Sequence, residues 1–327
     1  MIKGTLMTDT YDLEYTKDEQ GVTIVSCLMD EPEMVIPSQI DGLPVIRIAS
    51  EAFSDKKMKY IRLPEQLEYI DHHAFSGCRN IRHIEFPASL KVIGNYAFYN
   101  CWELKEIHLP SRMQSIGFGA FMNCEKMTEL VQDKEEGHEI SIGSILNDLS
   151  QQIHVVIRHL SPGREPVIAK VLFTEYSYEI VTVVSICKRA AEKPTGTGVQ
   201  MRYCVGSNDI DYLKYDSMFH VLKRDDGFDA VVTAAVERLM FPYMLTGEAR
   251  RRYMDYIREH ALEAALKFLR EDCLDKLRFI TDQGVLEREQ IDAVIDESIS
   301  RDMTEATAFL MDYRHKNYDM AEEEFVL

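Results

Sequence analysis

With 327 residues, 46% of them hydrophobic and 28% charged, the chain has the composition of a folded protein and length enough for two or three domains. A formal net charge of −18 repels phosphate backbones and anionic lipids, so neither nucleic acid nor a membrane surface is an expected partner. No apolar run approaches the ~20 residues of a membrane span, and the N-terminus lacks the apolar core of a signal peptide. The seven cysteines are odd in number and dispersed, with no CxxC pair. That usage predicts reduced thiols in a cytoplasmic protein, or a surface or secreted one if a leader has been removed.

A stretch centred on Cys78 recurs along the chain. "HAFSGCRNIRHIEFP" (73–87) is followed by "YAFYNCWELKEIHLP" and "GAFMNCEKMTELVQD". It is preceded by the one-residue-shorter "EAFSDKKMKYIRLP", which lacks the cysteine. Phe75, Phe98 and Phe121 lie 23 residues apart, as do Cys78, Cys101 and Cys124, and Pro64, Pro87 and Pro110. Each copy holds a short apolar alternation, such as Ile81-x-x-Ile84-x-Phe86, whose last pair has the period of a half-buried strand. The proline ends the strand because it cannot donate to the ladder. A second apolar step (Leu67-x-x-Ile70 and its equivalents) leads to the Ala-Phe pair. One coil cannot close a core, so stacked coils must bury a continuous column of Leu, Ile and Phe. Phe75, Cys78, Ile81, Ile84 and Phe86 are expected inside.

The pattern LxxIxLPxxLxxIxxxAFxxC resembles the BspA-type (treponemal-type) leucine-rich repeat over about residues 34–133, and a 23-residue period lies in the leucine-rich range. Residues 11–48 resemble the β-rich cap of such arrays. The resemblance implies a curved solenoid with parallel strands on its concave face, and adhesion or other protein binding. The outward strand positions are then the binding candidates: Lys59, Tyr60 and Arg62; Arg82, His83 and Glu85; Lys105, Glu106 and His108; Thr128, Glu129 and Val131. Four strands at about 4.8 Å spacing give a face about 15 Å across. Its charges are mixed, so both a solvated polar face and a partner-binding face fit it.

The letters that suggest chemistry are better explained by packing. A zinc ion needs four ligands around one point, whereas a thiol per coil makes a line, with His83 and His108 on the opposite side of the strand. A nucleophilic cysteine must be unique and activated, whereas these repeat. His72 and His73 read as solvated turn residues. Trp102 is either a core lid or an exposed anchor. The Ser and His of "RHLSPGREP" (158–166) lack a nucleophile elbow, and no metal, nucleotide or paired-carboxylate frame appears. No catalytic, cofactor-binding or metal-ligating residue is expected.

Past residue 133 the register fails. "IHVVIRHL" reads as a strand of a degenerate last coil, followed by three β-rich stretches, "PVIAKVLF", "YEIVTVVSI" and "VQMRYCVG", with "KPTGTG" (193–198) as the turn between the last two. "IDYLKYDSMFHVLK" reads as an amphipathic helix with Leu213, Met218, Phe219 and Leu222 on or near its apolar face. From about 228 the pattern is helical, and Gly284 is a plausible C-cap. Residues 272–283 and 302–313 align at an offset of 30, with Phe279 over Phe309 and Ile280 over Leu310; this pairing resembles ankyrin repeats, without their TPLHxA motif. Cys27, Cys187, Cys204 and Cys273 read as core, and the acidic end "DMAEEEFVL" as a tail whose Phe325, Val326 and Leu327 are available to dock on a partner or a second copy.

The expected fold is α+β and multi-domain: a β-rich cap (1–33), leucine-rich repeats (34–133), a mixed strand and helix segment (134–227) and an ankyrin-like helical region (228–327). The whole resembles bacterial leucine-rich repeat proteins with a helical region behind the solenoid. The expected function is non-enzymatic binding of a protein partner, with self-association as a further possibility; the alternative is an enzyme or small-ligand domain in 134–227 carried by the repeats.

Overall fold

Each proline-ended alternation forms a short strand, and the strands of successive coils pair in parallel. The computed structural model describes residues 2–7, 12–182, 190–207 and 209–319, in two compact units, Met1–Val221 and Leu222–Leu327. Cys187 and the end of the chain from residue 320 lie outside the described residues.

The first unit opens with β1 (Ile2–Met7), β2 (Asp12–Lys17) and β3 (Val22–Cys27), an antiparallel ribbon. The coils follow as β4 (Glu33–Val35), β5 (Gln39–Ile40), β6 (Leu43–Ile48), β7 (Tyr60–Arg62), β8 (Tyr69–Ile70), β9 (His83–Glu85), β10 (Val92–Ile93), β11 (Glu106–Leu109), β12 (Ser115–Ile116) and β13 (Glu129–Lys134). Two ladders result. One runs β1-β2-β3-β6-β8-β10-β12, with β5 paired to β6; the other begins β4-β7-β9-β11-β13. Between them Phe53, Phe75, Phe98 and Phe121 are fully buried. Their rings stack with centroids 5.1, 5.1 and 5.2 Å apart.

The turn around each Ala-Phe pair needs two left-handed residues. Glu51, His73, Tyr96 and Gly119 precede it, and Asp55, Gly77, Asn100 and Asn123 follow it, all with φ between 53 and 77°. Gly119 is fixed twice over, because a Cβ there would stand 2.5 Å from the Tyr96 ring. The turns are tied coil to coil: the Phe53, Phe75 and Phe98 amides each donate to the alanine carbonyl of the next coil, at 2.8 Å.

The last coil has no successor, and side chains close it. The Phe121 amide donates to Asp148 Oδ2 at 3.2 Å, and Gln151 Nε2 donates to the Cys124 and Met127 carbonyls. Asp148 ends α1 (Ile142–Asp148). Burial pushes its carboxyl up to about 6, against the Phe121 and Gly119 amides, which lower it. A carboxyl raised above its unfolded value of about 3.9 binds more protons in the native state, so its contribution falls as pH rises from about 4 to about 6. Asp148→Asn keeps the acceptor and removes the charge. Thermal unfolding is expected to show it about 1–2 kcal/mol more stable than wild type at pH 7.5, with the difference shrinking through pH 5 and vanishing below about pH 4; equal midpoints at pH 7.5 would refute this reading.

The unit is completed by β14 (Ile153–His159), β15 (Val167–Phe173), the hairpin β16 (Ser177–Thr182) and β17 (Ala190–Thr195), α2 (Thr197–Arg202), α3 (Tyr212–Ser217) and the start of α4 (Phe219–Asp225). β14 continues the second ladder in parallel, and β15 closes it antiparallel. Three expectations are corrected here. "VQMRYCVG" is not a strand: its first half is α2, and Lys193–Thr195 of the expected turn belong to β17. The 210–223 segment is two short helices, with Tyr212 and Tyr215 buried and Leu213 58% exposed.

In the second unit α5 (Phe228–Met240), α6 (Gly247–Glu259), α7 (Ala261–Arg270), α8 (Leu274–Asp282), α9 (Arg288–Ser300) and α10 (Thr304–Arg314) form successive pairs, followed by a π-helical turn over His315–Asp319. The 30-residue offset is structural. Asp272 and Asp302 both have φ 56°, and the next amides, of Cys273 and Met303, both donate back to the preceding helix at 2.9 Å. Ile280 and Leu310 are both fully buried. Arg270–Glu297 and Arg278–Glu305 join one pair to the next.

Candidate functional site: the strand face

Alternation along the second ladder decides what faces out. In register, Met34, Ile61, Ile84, Ile107, Leu130, Val155 and Val171 form one buried row. The rows beside it point away from the core. One is Glu33, Tyr60, His83, Glu106, Glu129 and His154; the other is Val35, Arg62, Glu85, His108, Val131, Val156 and Lys170. With seven strands at about 4.8 Å, the face is about 29 Å wide, twice the width read from the sequence.

The structure divides the expected site residues into two groups. At the β13–β15 end the outward side chains lie within ion-pair distance of one another. Lys170 donates to Glu129 at 2.8 Å, and Asp133 lies 3.1 Å from His108 Nε2 and 3.2 Å from Arg158 Nη1. Val131, expected outward, is buried with Val156, which β14 places beside it in register. At the β4–β11 end, Lys59, Tyr60, Arg62, Arg82, Lys105 and Glu106 are exposed, as is Thr128 next to the closed end. Their side chains make no hydrogen bond or ion pair with the described residues; only His83 and Glu85 approach each other, at 3.5 Å. A shallow depression of about 200 Å³ lies here over Glu33, Val35, Tyr60, Arg62, His83 and Glu85. Val35 and Tyr60 leave about half their surface exposed. Glu33, Val35, Asp133, Arg158 and Lys170 were missed by the sequence reading, although "EMVIP" (33–37) carries the same proline-ended step as the later coils.

The cysteines face the other way. Cys78, Cys101 and Cys124 are fully buried, and each thiol donates to the phenylalanine carbonyl of the preceding coil, Phe53, Phe75 and Phe98 respectively. Burial pushes the Cys78 thiol up to about 12 and the other two upward as well, so the thiolate needed for nucleophilic or metal chemistry is disfavoured. Among the described residues no group of three or more His, Cys, Asp or Glu is placed to hold a metal. Cys273, read as core, is only half-buried at the start of α8. His72 and His73 are not free turn residues: His72 Nδ1 accepts from the Asn95 amide, and the His73 ring stacks on Tyr96 at 5.1 Å. Phe86 is half-buried, with its ring edge on Phe98.

The segment after the coils has a filled core of Val155, Ile157, Val171 and Phe173. A surface cleft of about 250 Å³ lies over Tyr176, Tyr178, Val199, Arg202 and Tyr203. Arg202 at its floor donates all five of its N–H groups to main-chain carbonyls.

Residues 46–147 match the family model described as BspA type Leucine rich repeat region, in six copies. Among solved structures, the T. pallidum leucine rich repeat protein TpLRR is 33% identical over 39% of this chain and 60% of its own, with a TM-score of 0.36. A leucine-rich repeat protein from Bacteroides capillosus is 19% identical over 39% of this chain and 97% of its own, with a TM-score of 0.34. The pneumococcal vaccine antigen PcpA is 17% identical over 52% of this chain and 54% of its own, with a TM-score of 0.32. This chain thus spans about 60% of the length of the treponemal protein. No curated protein matches it. No described helix is long and apolar enough to cross a membrane. The matched stretch, residues 46–147, holds β7, β9, β11 and β13 of the strand face, and it is similar to a BspA type leucine-rich repeat region.

Proposed function

We propose that the chain is a non-enzymatic protein-binding module that recognises its partner with the β4–β11 part of the strand face. The carrying observation is the division of that face. Its far end neutralises its own charges, whereas Lys59, Tyr60, Arg62, Arg82, Lys105 and Glu106 are held in register by the coils and left without partners. Fixed, exposed side chains of mixed polarity around Tyr and Arg are what an interface uses. The 30-residue helix pairs of the second unit, ankyrin-like in spacing, offer a second surface of the same kind. Free buried thiols at Cys27, Cys78, Cys101, Cys124 and Cys204 support a reducing compartment. The triple variant Tyr60→Ala, Arg62→Ala, His83→Ala is expected to recover at least about tenfold less partner in affinity capture from the native cell, while Gln114→Ala with Ser115→Ala in the other ladder changes nothing. Equal recovery by the triple variant would sink this assignment. A second reading, a small-ligand site, has the tyrosine cleft in its favour; saturable binding of a small molecule that is lost on Tyr178→Ala and Tyr203→Ala and kept by the strand-face variant would select it.

A further inference from the structure

At the N-terminal edge of the strand face, Lys59, Arg82 and Lys105 occupy one position of three successive coils. The Arg82 amide donates to the Lys59 carbonyl and the Lys105 amide to the Arg82 carbonyl, both at 3.2 Å, so the three residues climb in steps of about 4.8 Å. All are exposed, and none has a counter-ion among the described residues. In a chain of net charge −18 an unneutralised ladder of three cations is an anomaly. Two nearby acidic groups are engaged elsewhere: Glu103 holds Lys126 at 2.6 Å and Asp30 lies near Lys57 at 3.9 Å. Glu106 and Glu125 remain exposed at the borders. The local field shows on Glu103, whose carboxyl is held below its ordinary range by Lys126, with Arg82 and Lys105 adding to the effect.

The same edge carries the only tryptophan of the chain. Trp102 is 40% exposed, and the Arg79 guanidinium lies 4.5 Å from its ring centroid. That contact orients an indole that would otherwise lose rotamer freedom on binding. A cation ladder beside an oriented aromatic anchor is an interaction surface with a defined preference.

We infer that this edge takes an acidic, extended segment of a protein partner, with carboxylates on the Lys59–Arg82–Lys105 ladder and an apolar side chain against Trp102. The inference deepens the strand-face reading and rests on it. An extended segment presents same-side residues about 6.6–6.8 Å apart, so two carboxylates span the three cations within reach of their flexible side chains. A short peptide senses only the field within a Debye length of about 10 Å at 0.1 M salt. A nucleic acid continues past the ladder onto Glu106, Glu85 and the acidic remainder of the chain, which repels it.

The test uses the full chain and a fluorescent peptide of glutamates flanking one tryptophan, followed by anisotropy at about 20 and about 200 mM salt. The expected result is saturable binding that weakens with salt. Each single reversal (Lys59→Glu, Arg82→Glu or Lys105→Glu) is expected to weaken it several-fold and the triple reversal to abolish it, with Trp102→Ala costing about fivefold. These positions are exposed, so the variants keep the wild-type fold, checked by circular dichroism. No saturable binding to wild type, undiminished binding to the triple reversal, or tighter binding of a single-stranded oligonucleotide than of the peptide would each overturn the inference. Partner capture separates its failure from that of the broader reading. A triple reversal that keeps the partner while the Tyr60, Arg62, His83 variant loses it refutes the acidic-segment inference and leaves the strand face standing. The opposite pattern moves the site off the central rows and onto this edge.

Discussion

Arg202→Met is expected to destabilise the closing segment of the first unit by about 3–5 kcal/mol. Arg202 is 8% exposed. Its Nε donates to the Leu146 carbonyl, Nη1 to Thr174 and Gly198, and Nη2 to Leu149 and Gln151, at 2.8–3.1 Å. Leu146, Leu149 and Gln151 lie at and just beyond the end of α1, where helix carbonyls lack internal partners, and Thr174 follows β15. One side chain thus fastens α1, β15 and α2 together. No carboxylate shares in this, and desolvation lowers the guanidinium to about 10, so the carbonyl dipoles and the Tyr176 ring at 4.6 Å supply the compensation. Methionine fills much of the volume and strands five acceptors. Arg202→Lys keeps the charge but has three donors and no planar fork, so about half the loss is expected to remain. Because the chain holds two compact units, a single global unfolding free energy is ill-defined; the measurement is amide exchange at Tyr176, whose N–H bonds the Ser150 carbonyl at 2.8 Å. Wild-type protection in Arg202→Met would show that the five bonds carry no net stability.

That cluster was invisible in the sequence, whereas the repeated positions of the coils were legible. The difference is physical. A repeated coil states each constraint several times: Phe75, Phe98 and Phe121, or Cys78, Cys101 and Cys124, occupy equivalent surroundings, so their spacing discloses their role. Arg202 occurs once, in a helix of six residues, too short to display a 3.6-residue period. Val199, Met201, Tyr203 and Val205 alternate like a strand, but Met201 and Arg202 are both buried, as adjacent residues of a strand with one buried face are not. Helix α2 docks where Gly198 lacks a side chain, since a Cβ there would stand 2.3 Å from the Thr174 carbonyl. Leu213 is expected on the apolar face of 210–223 but is exposed, whereas the buried Tyr215 hydroxyl accepts from the Leu172 amide and donates to its carbonyl, covering the outer edge of β15. The strand face divided the same way. The coils disclosed its exposed half, and the non-repeating Lys170, Arg158 and Asp133 that neutralise the other half gave no periodic signal.

Phe98→Ala is expected to cost about 3–5 kcal/mol, and more than the same change at Phe53. Both rings are fully buried, so area alone predicts equal losses. Their neighbourhoods differ. Among the described residues Phe53 stacks only on Phe75, whereas Phe98 stacks on Phe75 at 5.1 Å and Phe121 at 5.2 Å and receives the edge of Phe86 at 5.6 Å. Each aromatic contact adds about 0.5–1.5 kcal/mol beyond burial, so the two extra contacts at Phe98 are worth about 1–3 kcal/mol over Phe53. Position in the array acts in the same direction. Coil stability is the sum of intrinsic and nearest-neighbour terms, and a cavity at Phe98 weakens two interfaces in the middle of the stack, so coils on either side lose their neighbour. At Phe53 the damage falls next to the N-terminal ribbon and the later coils keep theirs. Denaturant unfolding followed through Trp102, which sits in the Phe98 coil, is expected to show a lowered midpoint for Phe98→Ala and a smaller shift for Phe53→Ala. Equal shifts would mean that the coils unfold as one block whose loss depends on buried area alone. Phe98→Leu refines the comparison, because leucine restores most of the volume without the stacking; a residual loss of about 1.5–4.5 kcal/mol measures its three aromatic contacts.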